Sequence, residues 1–470
     1  MVLNILNQIN GIVWGPWLLI LLVGTGILMT VRLRGLQFHH LKSALKLIFS
    51  ARNKGSGDID SFKALCTALA ATVGTGNIVG VATAIKLGGP GALFWMWIAA
   101  LFGMATKYTE GVLAVKYREV DAKGQISGGP MYYIEKGLGK KWKPLAVMFA
   151  IFGTLTAMLG NGTFTQVNAI TSSLHLTFNV PIWLGSTLLT ILVAIIILGG
   201  LKTISKAAEK IVPFMSVTYF IITIVILGIY HENLPFAIMQ VFEGATSGTA
   251  AMGGFAGAGI MLAMRSGIAR GLFSNESGLG SAPIVAAAAK TKWPAEQGLV
   301  SMTGTFIDTI IICTLTGLTV IVSGQWTGDV NGAALTQAAF SGAIGYFGPL
   351  FLTIALTLFA FTTILGWCYY GERCLVYLFG TKSIMPYRVV FILIIASGTM
   401  LKLEEIWTLA DIVNGLMAIP NLIAIIGLSG IVVEETNKYF KFLEKRNNRI
   451  KSYKEKKANE FKNINTTPTI

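Results

Sequence analysis

The chain is short of charge. Only 13% of its 470 residues are Asp, Glu, Lys or Arg, against roughly 25% in a soluble domain. With 53% hydrophobic residues and a mean hydropathy of +0.66, this excludes a soluble globular protein and leaves one that crosses a bilayer many times. Cysteine is sparse as well. Cys66, Cys313, Cys368 and Cys374 have no paired spacing, so neither a disulfide framework nor a thiolate metal site is expected. The four histidines, His39, His40, His175 and His231, fall in loops or at helix edges with no carboxylate–serine arrangement near them. No nucleophile, metal cluster or acid pair stands out, which argues against an enzyme. Acidic residues are outnumbered 22 to 37, a net charge of +15. The basic residues sit between apolar runs and in the tail. Positive-inside topology accounts for them better than a nucleic-acid partner does.

What is present is a series of apolar runs. We place eleven spans at about 12–33, 62–87, 91–115, 144–171, 181–200, 211–230, 243–272, 298–323, 346–371, 384–401 and 407–433. The first run has no basic n-region or clear cleavage site and is kept as a helix. Loops 32–60 and 116–143 are rich in Lys and Arg, whereas connections 172–181, 231–242 and 324–345 have none. That alternation puts the N-terminus outside and the C-terminus in the cytoplasm of a multi-pass cell-membrane protein. Phe38, Leu41, Leu45 and Ile48, with Lys42 and Lys46 between them, predict an interfacial helix. The tail 438–470 carries ten Lys/Arg and reads as solvated.

Setting the first span aside leaves ten, which divide into five and five with opposite membrane orientation. The expected fold is all-α with an inverted repeat. The divisions are 1–60 (extra helix and interfacial helix), 61–232 (first half), 233–435 (second half) and 436–470 (basic tail). The leading span of the first half holds Ala70-Ala71-Thr72-Val73-Gly74-Thr75-Gly76-Asn77. Two glycines, a threonine and an asparagine in an apolar run weaken the helix where a plain span has no use for them. Opened backbone is tolerated at membrane depth only beside protein or a polar cavity. Its amides and carbonyls then make an anion site and a cation site. The leading span of the second half has a similar interruption, Gly253-Gly254-Phe255-Ala256-Gly257-Ala258-Gly259. Matching interruptions in two halves are the best sequence pointer to a midplane site. Close helix packing through Gly76/Gly80 and Gly253/Gly257 is the plainer alternative.

Two stretches then become specific. Gly88-Gly89-Pro90-Gly91-Ala92-Leu93-Phe94-Trp95-Met96-Trp97-Ile98 and Arg270-Gly271-Leu272-Phe273-Ser274-Asn275-Glu276-Ser277-Gly278-Leu279-Gly280-Ser281-Ala282-Pro283 resemble signatures of the alanine or glycine:cation symporter family, the sodium:alanine symporters. The likeness covers nearly the whole chain. It implies sodium-driven uptake of alanine or glycine on the inverted-repeat fold of the neurotransmitter:sodium symporters. It also implies that carbonyls of Ala70 and Val73 and hydroxyls of Thr362 and Thr363 hold sodium.

Chemistry extends this site. Amides of Thr75, Gly76 and Asn77 would receive the substrate carboxylate. Gln166 would accept from its ammonium, or simply bond between helices. Phe255, Gly257 and Trp367, rings and a small residue together, would bound a pocket suited to a methyl side chain. Asp308 sits near mid-depth. It is a cation ligand, alone or with Asn77, or it pairs with Arg265 or Lys107, or it is a protonated structural acid. Arg265, Arg270 and Glu276 are expected at the cytoplasmic end of the second interrupted helix, as an inner gate or as topology signals. A proton-coupled transporter of the same fold and a cation channel are the competing functions. The span 211–230 has no lysine beyond Lys210, and by the resemblance this favours sodium. Alanine, glycine and D-alanine are not separated by sequence.

Overall fold

A computed structural model describes residues 2–48, 55–247, 256–398 and 403–464. Two helices open the chain, α1 (Val2–Val13) and α2 (Pro16–Arg32). The expected first span, about 12–33, is α2 within the apolar stretch Leu3–Arg32. The added α1 meets it at Gly15 and Pro16, since proline suits a helix's first turn and not its interior. The predicted interfacial helix is α3 (Leu36–Ile48). Next, α4 (Ser61–Thr72) starts at Asp60, whose carboxylate accepts the Lys63 amide at 2.8 Å, an N-cap. It is followed by α5 (Val81–Gly88) and α6 (Gly91–Lys116). A short hairpin of β1 (Glu119–Val120) and β2 (Ile126–Ser127) precedes α7 (Pro130–Tyr133).

The predicted span 144–171 is two helices, α8 (Lys143–Leu159) and α9 (Phe164–Phe178), separated at 160–163. Then come α10 (Ile182–Ile197) and α11 (Gly200–Ile229). Segments expected as plain connections are helical: α12 (Leu234–Thr246) and, further on, α17 (Gly332–Ile344). Between these lie α13 (Ala256–Asn275), α14 (Ala282–Ala286), α15 (Pro294–Thr305) and α16 (Thr314–Val322). The chain closes with α18 (Phe347–Phe379), α19 (Ile384–Ser397) and α20 (Leu403–Ile464). The last helix runs on through much of the tail expected to be only solvated. At the tail's start the Phe440 ring lies 4.4 Å from that of His40 on α3.

Among the described residues, six helices are long and apolar enough to cross a membrane, and the bent pair of α4 with 76–88 makes a seventh. The described parts of the other predicted spans are helical but shorter or, like α6 with Lys107 and Glu110, interrupted by charge. Large apolar side chains on α10 and α11, such as Ile195 and Phe214, face outward, as lipid contact requires.

Helix α6 is the central post. Its residues from Gly103 to Val115 are all buried, and its small residues let neighbours approach. A Cβ at Gly91 would lie 2.3 Å from the Gly244 carbonyl carbon and 2.5 Å from the Ala245 nitrogen, both backbone. Gly91→Ala is therefore expected to destabilise by about 1–3 kcal/mol. A lower unfolding midpoint in detergent checks this, and an unchanged midpoint refutes it.

One end of the bundle is tied by Arg118. Its guanidinium donates to the carbonyls of Ala287 (2.7 Å), Ala289 (2.8 Å), Ser56 (2.7 Å) and Thr291 (3.3 Å). β-Bridges Ser56–Thr291 and Ile59–Ala289 join the same two segments. The residues leading into α4 are thus fastened to those leaving α14.

Candidate functional site

The first discontinuity lies where the glycines predict it. Helix α4 ends at Thr72, and Val73 turns out of it at ψ 93°. Residues Gly76–Gly80 form a π-helical turn, and the halves meet at 52°. The Asn77 side chain closes the gap, accepting the Gly74 N–H at 2.9 Å, while the Asn77 N–H donates to the Gly74 carbonyl at 3.3 Å. Glycine is required by neighbours. A Cβ at position 74 would be 2.4 Å from Thr363 Oγ1, and one at 76 would be 3.1 Å from Ser274 Cα.

That last contact identifies the partner. Gly88 abuts Ala263, Gly76 abuts Ser274, and Gly57 abuts Ala289, so the stretch 256–289 runs antiparallel to 57–88. Among the described residues it has a discontinuity at 275–281, between α13 and α14; most of the interruption expected at 253–259 lies outside them. Residues up to Phe255 lie outside the described residues, and the backbone from Ala256, through Gly257, is already helical. At 1.5 Å per residue Gly257 stands about 25 Å along the axis from Ser274, away from this crossing. The opened segment has Glu276 at φ 56° and Gly278 at φ 89°, both left-handed.

Buried polar groups hold the segment. The Gly278 and Gly280 amides each donate to Glu110 Oε1 at 3.1 Å. Asn421 Nδ2 donates to the same oxygen at 2.7 Å and to the Gly278 carbonyl at 2.9 Å. Lys107 donates to the Asn275 carbonyl at 2.9 Å. Glu276 accepts from Trp367 Nε1 at 2.9 Å and from Ser281 Oγ at 2.5 Å. It therefore sits inside the break, just past the end of α13. Arg265 and Arg270 lie further back along α13, beside α5, and Arg270 pairs with Asp411 of α20 at 3.4 Å.

Asp308 lies between the two discontinuities, in a π-helical stretch Phe306–Cys313, a feature frequent at functional sites. Its Oδ1 accepts from Asn77 Nδ2 at 2.8 Å, and its Oδ2 from Ser274 Oγ at 3.0 Å and Thr309 Oγ1 at 2.8 Å. The anticipated cationic partners are engaged with Asn275 (Lys107) or carried on the α5-facing stretch of α13 (Arg265). Asp308 is thus a buried carboxylate met by neutral donors, one from each broken helix.

On the opposite wall, Gln166 Nε2 donates to Thr75 Oγ1 at 3.2 Å. Gln166 Oε1 is buried without a hydrogen-bond partner. Trp367 packs against the 160–163 break, with its Cβ 2.9 Å from where Gly162 would carry one. Thr362 and Thr363 both bond back to the Phe359 carbonyl, at 2.9 and 3.0 Å, as hydroxyls in helices do. Only Thr363 also presses on the first break, at Gly74; Thr362 faces Met215 Sδ at 3.8 Å. Ala70 and Val73 are fully buried.

The structure thus draws together Ala70, Val73, Thr75, Gly76, Asn77, Gln166, Asp308, Thr363 and Trp367. It also adds Ser274, Thr309, Glu110 and Asn421, which sequence reasoning passed over. Lys107 and Glu110, one turn apart inside an apolar run, are the signal that was available, since intramembrane charge is functional by default.

Comparison with known proteins follows this geometry. A family model described as the sodium:alanine symporter family matches residues 1–454. The chain is 54% identical over 443 residues to an uncharacterized transporter of Haemophilus influenzae, covering 94% of this chain and 97% of the other. It is 50% identical over 444 residues to the sodium/alanine symporter AgcS of Methanococcus maripaludis, covering 93% and 97%. It is 39% identical over 445 residues to the probable sodium/glutamine symporter GlnT of Bacillus subtilis, covering 93% and 90%. Among solved structures, MhsT in complex with L-phenylalanine matches with a TM-score of 0.56 at 13% identity, covering 82% of this chain and 99% of that one. This likeness speaks to fold alone. The chain belongs to the sodium:alanine symporter family and is a sodium-coupled membrane transporter, not an enzyme.

Proposed function

We propose that the chain imports alanine or glycine together with sodium by alternating access. One observation carries the substrate reading: Gln166 is anchored to Thr75 at the first break while its Oε1, buried, lacks a partner. A buried acceptor left so is costly, and a substrate ammonium would satisfy it. The carboxylate would meet the amides of Thr75 and Gly76; that of Asn77 is engaged with Gly74. Gly76 backs onto Ser274 and the Phe273 ring, and Trp367 stands against Gly162. In this reading these walls bound a pocket suited to a side chain as small as a methyl.

Sodium has two oxygen-rich places in this reading. One is Asp308 with Asn77; the other joins the Ala70 and Val73 carbonyls to the hydroxyl of Thr363, since Thr362 faces Met215. Neutral oxygens suit an ion that must be released. Thr363→Ala is expected to raise half-saturating sodium by about tenfold, or ~1.4 kcal/mol. An unchanged sodium dependence of uptake counts against that ligand.

The halves 61–232 and 233–435 are read as inverted repeats, each led by a discontinuous helix, after the extra segment 1–60. The Lys/Arg-rich loops and the tail 436–470 are placed in the cytoplasm. Sodium and amino acid then enter from the α5/α13 side and leave past the Arg118 tie. Uptake into proteoliposomes tests the assignment with alanine, glycine, D-alanine and glutamine under imposed sodium or proton gradients. Sodium-driven, saturable uptake of alanine or glycine is expected. Preference for glutamine, or drive by protons alone, overturns it.

A further inference from the structure

The extra N-terminal helix lines a cavity of 270 Å³. It lies between α1, α13 and α20, on the entry side of the first break. Asn10, Trp14, Arg265, Arg270, Phe273 and Asp411 shape it. Trp14 Nε1 donates to the Asp411 carbonyl at 2.8 Å and fixes that backbone. The Arg270–Asp411 contact is 3.4 Å, long for a charge-assisted bond, which closes to roughly 2.7–2.9 Å. Asp411 Oδ1 and Asn10 Oδ1 are both buried without a hydrogen-bond partner. Arg265 stands exposed beside them. Among the described lining residues Asp411 is the one acid, in contact with Arg270, and Arg265 lines the same cavity.

The floor of this cavity is Phe273. The Arg270 guanidinium carbon lies 5.5 Å from the centre of its ring. The ring's Cδ1 is 3.4 Å from where a Cβ on Gly76 would be. Phe273 therefore separates the cavity from the amides of the first break.

We propose that this cavity is a second amino-acid site, a vestibule that holds a small zwitterion before it reaches the enclosed pocket. This rests on the reading that the substrate is a small neutral amino acid. Its carboxylate lies on Arg270 and Arg265, and its ammonium on Asp411 Oδ1 and Asn10 Oδ1. One long ion pair is replaced by two contacts of opposite sign, so no buried charge is left without a partner. A guanidinium drawn toward a carboxylate moves off the Phe273 ring and uncovers the way inward. The segment before the first broken helix thus contributes directly to substrate capture.

Equilibrium binding of radiolabelled alanine to the purified full chain in saturating sodium tests this. Two sites per chain are expected. Asp411→Asn should leave one, and Gln166→Ala should leave the other. In proteoliposomes, Asp411→Asn and Arg265→Ala should raise KM about tenfold with kcat and half-saturating sodium unchanged, the mark of lost initial binding. Arg265 is exposed, so its replacement carries the test even where Asp411→Asn fails to fold. A single site in the unaltered protein, or an unchanged KM in Arg265→Ala, overturns the vestibule and leaves the proposed function standing. No binding of any small amino acid overturns both.

Discussion

Replacing Gly76 with leucine is expected to abolish alanine binding and uptake while the protein remains folded in the membrane. A Cβ alone would come to 3.1 Å from Ser274 Cα and 3.4 Å from Phe273 Cδ1. Backbone on the facing helix has little freedom to yield, so the rest of the side chain is driven into the space between the breaks. Overpacking of this kind costs about 1–3 kcal/mol, which a bundle with this much buried surface tolerates. The same displacement removes the geometry on which amide donors act, and a 1 Å misplacement at a site costs far more in function than in stability. Gly76→Ala should retain part of the activity, because a few tenths of an ångström suffice at 3.1–3.4 Å. Parallel uptake and thermal-unfolding measurements distinguish the outcomes. Undiminished transport by the leucine variant removes the first break from the binding site.

Asp308→Asn should raise half-saturating sodium by about a hundredfold, or ~2.7 kcal/mol. The change is nearly isosteric and keeps an oxygen toward Asn77. It removes the one formal charge at a point where Asn77, Ser274 and Thr309 supply only neutral donors. A carboxylate whose hydrogen-bond donors are all neutral is stabilised less than one in direct contact with a cation, and an arriving sodium ion supplies what is missing. If Asp308 were only a structural acid, the amide would shift stability and leave the sodium dependence in place. Uptake measured against sodium concentration at fixed alanine decides between these.

The first break was legible because Gly74, Gly76 and Asn77 interrupt an apolar run that otherwise reads as one span. The opening at 275–281 was not read from the sequence, for a physical reason. Glycines at 253–259 carry the same helix-weakening signature as those at 74–76, whereas the opening at 275–281 depends on Glu110 and Asn421, remote in sequence, to accept and donate at its backbone. Local propensity does not report such partners. The division at 160–163 was hidden similarly. The polar run Asn161 to Gln166 fell inside the single predicted span 144–171, yet Gly162 has no room for a Cβ against Trp367 and the Ala157 carbonyl. Connections 231–242 and 324–345 looked bare because they lack Lys and Arg. That absence speaks to topology and not to secondary structure, and α12 and α17 occupy them. Asp308 was visible as an intramembrane acid, but Ser274 beside it was not, since serine at a helix end carries no signal of its own.

The guanidinium of Arg118 grips the chain on either side of the two mouths at once. In the transport cycle proposed above neither half-helix swings alone, and the proposed exit behaves as a pair of doors on one bolt. Such a linkage discourages slippage, in which an ion escapes without its passenger, because any parting wide enough for sodium must also unseat the strand-like bridges at Ser56 and Ile59.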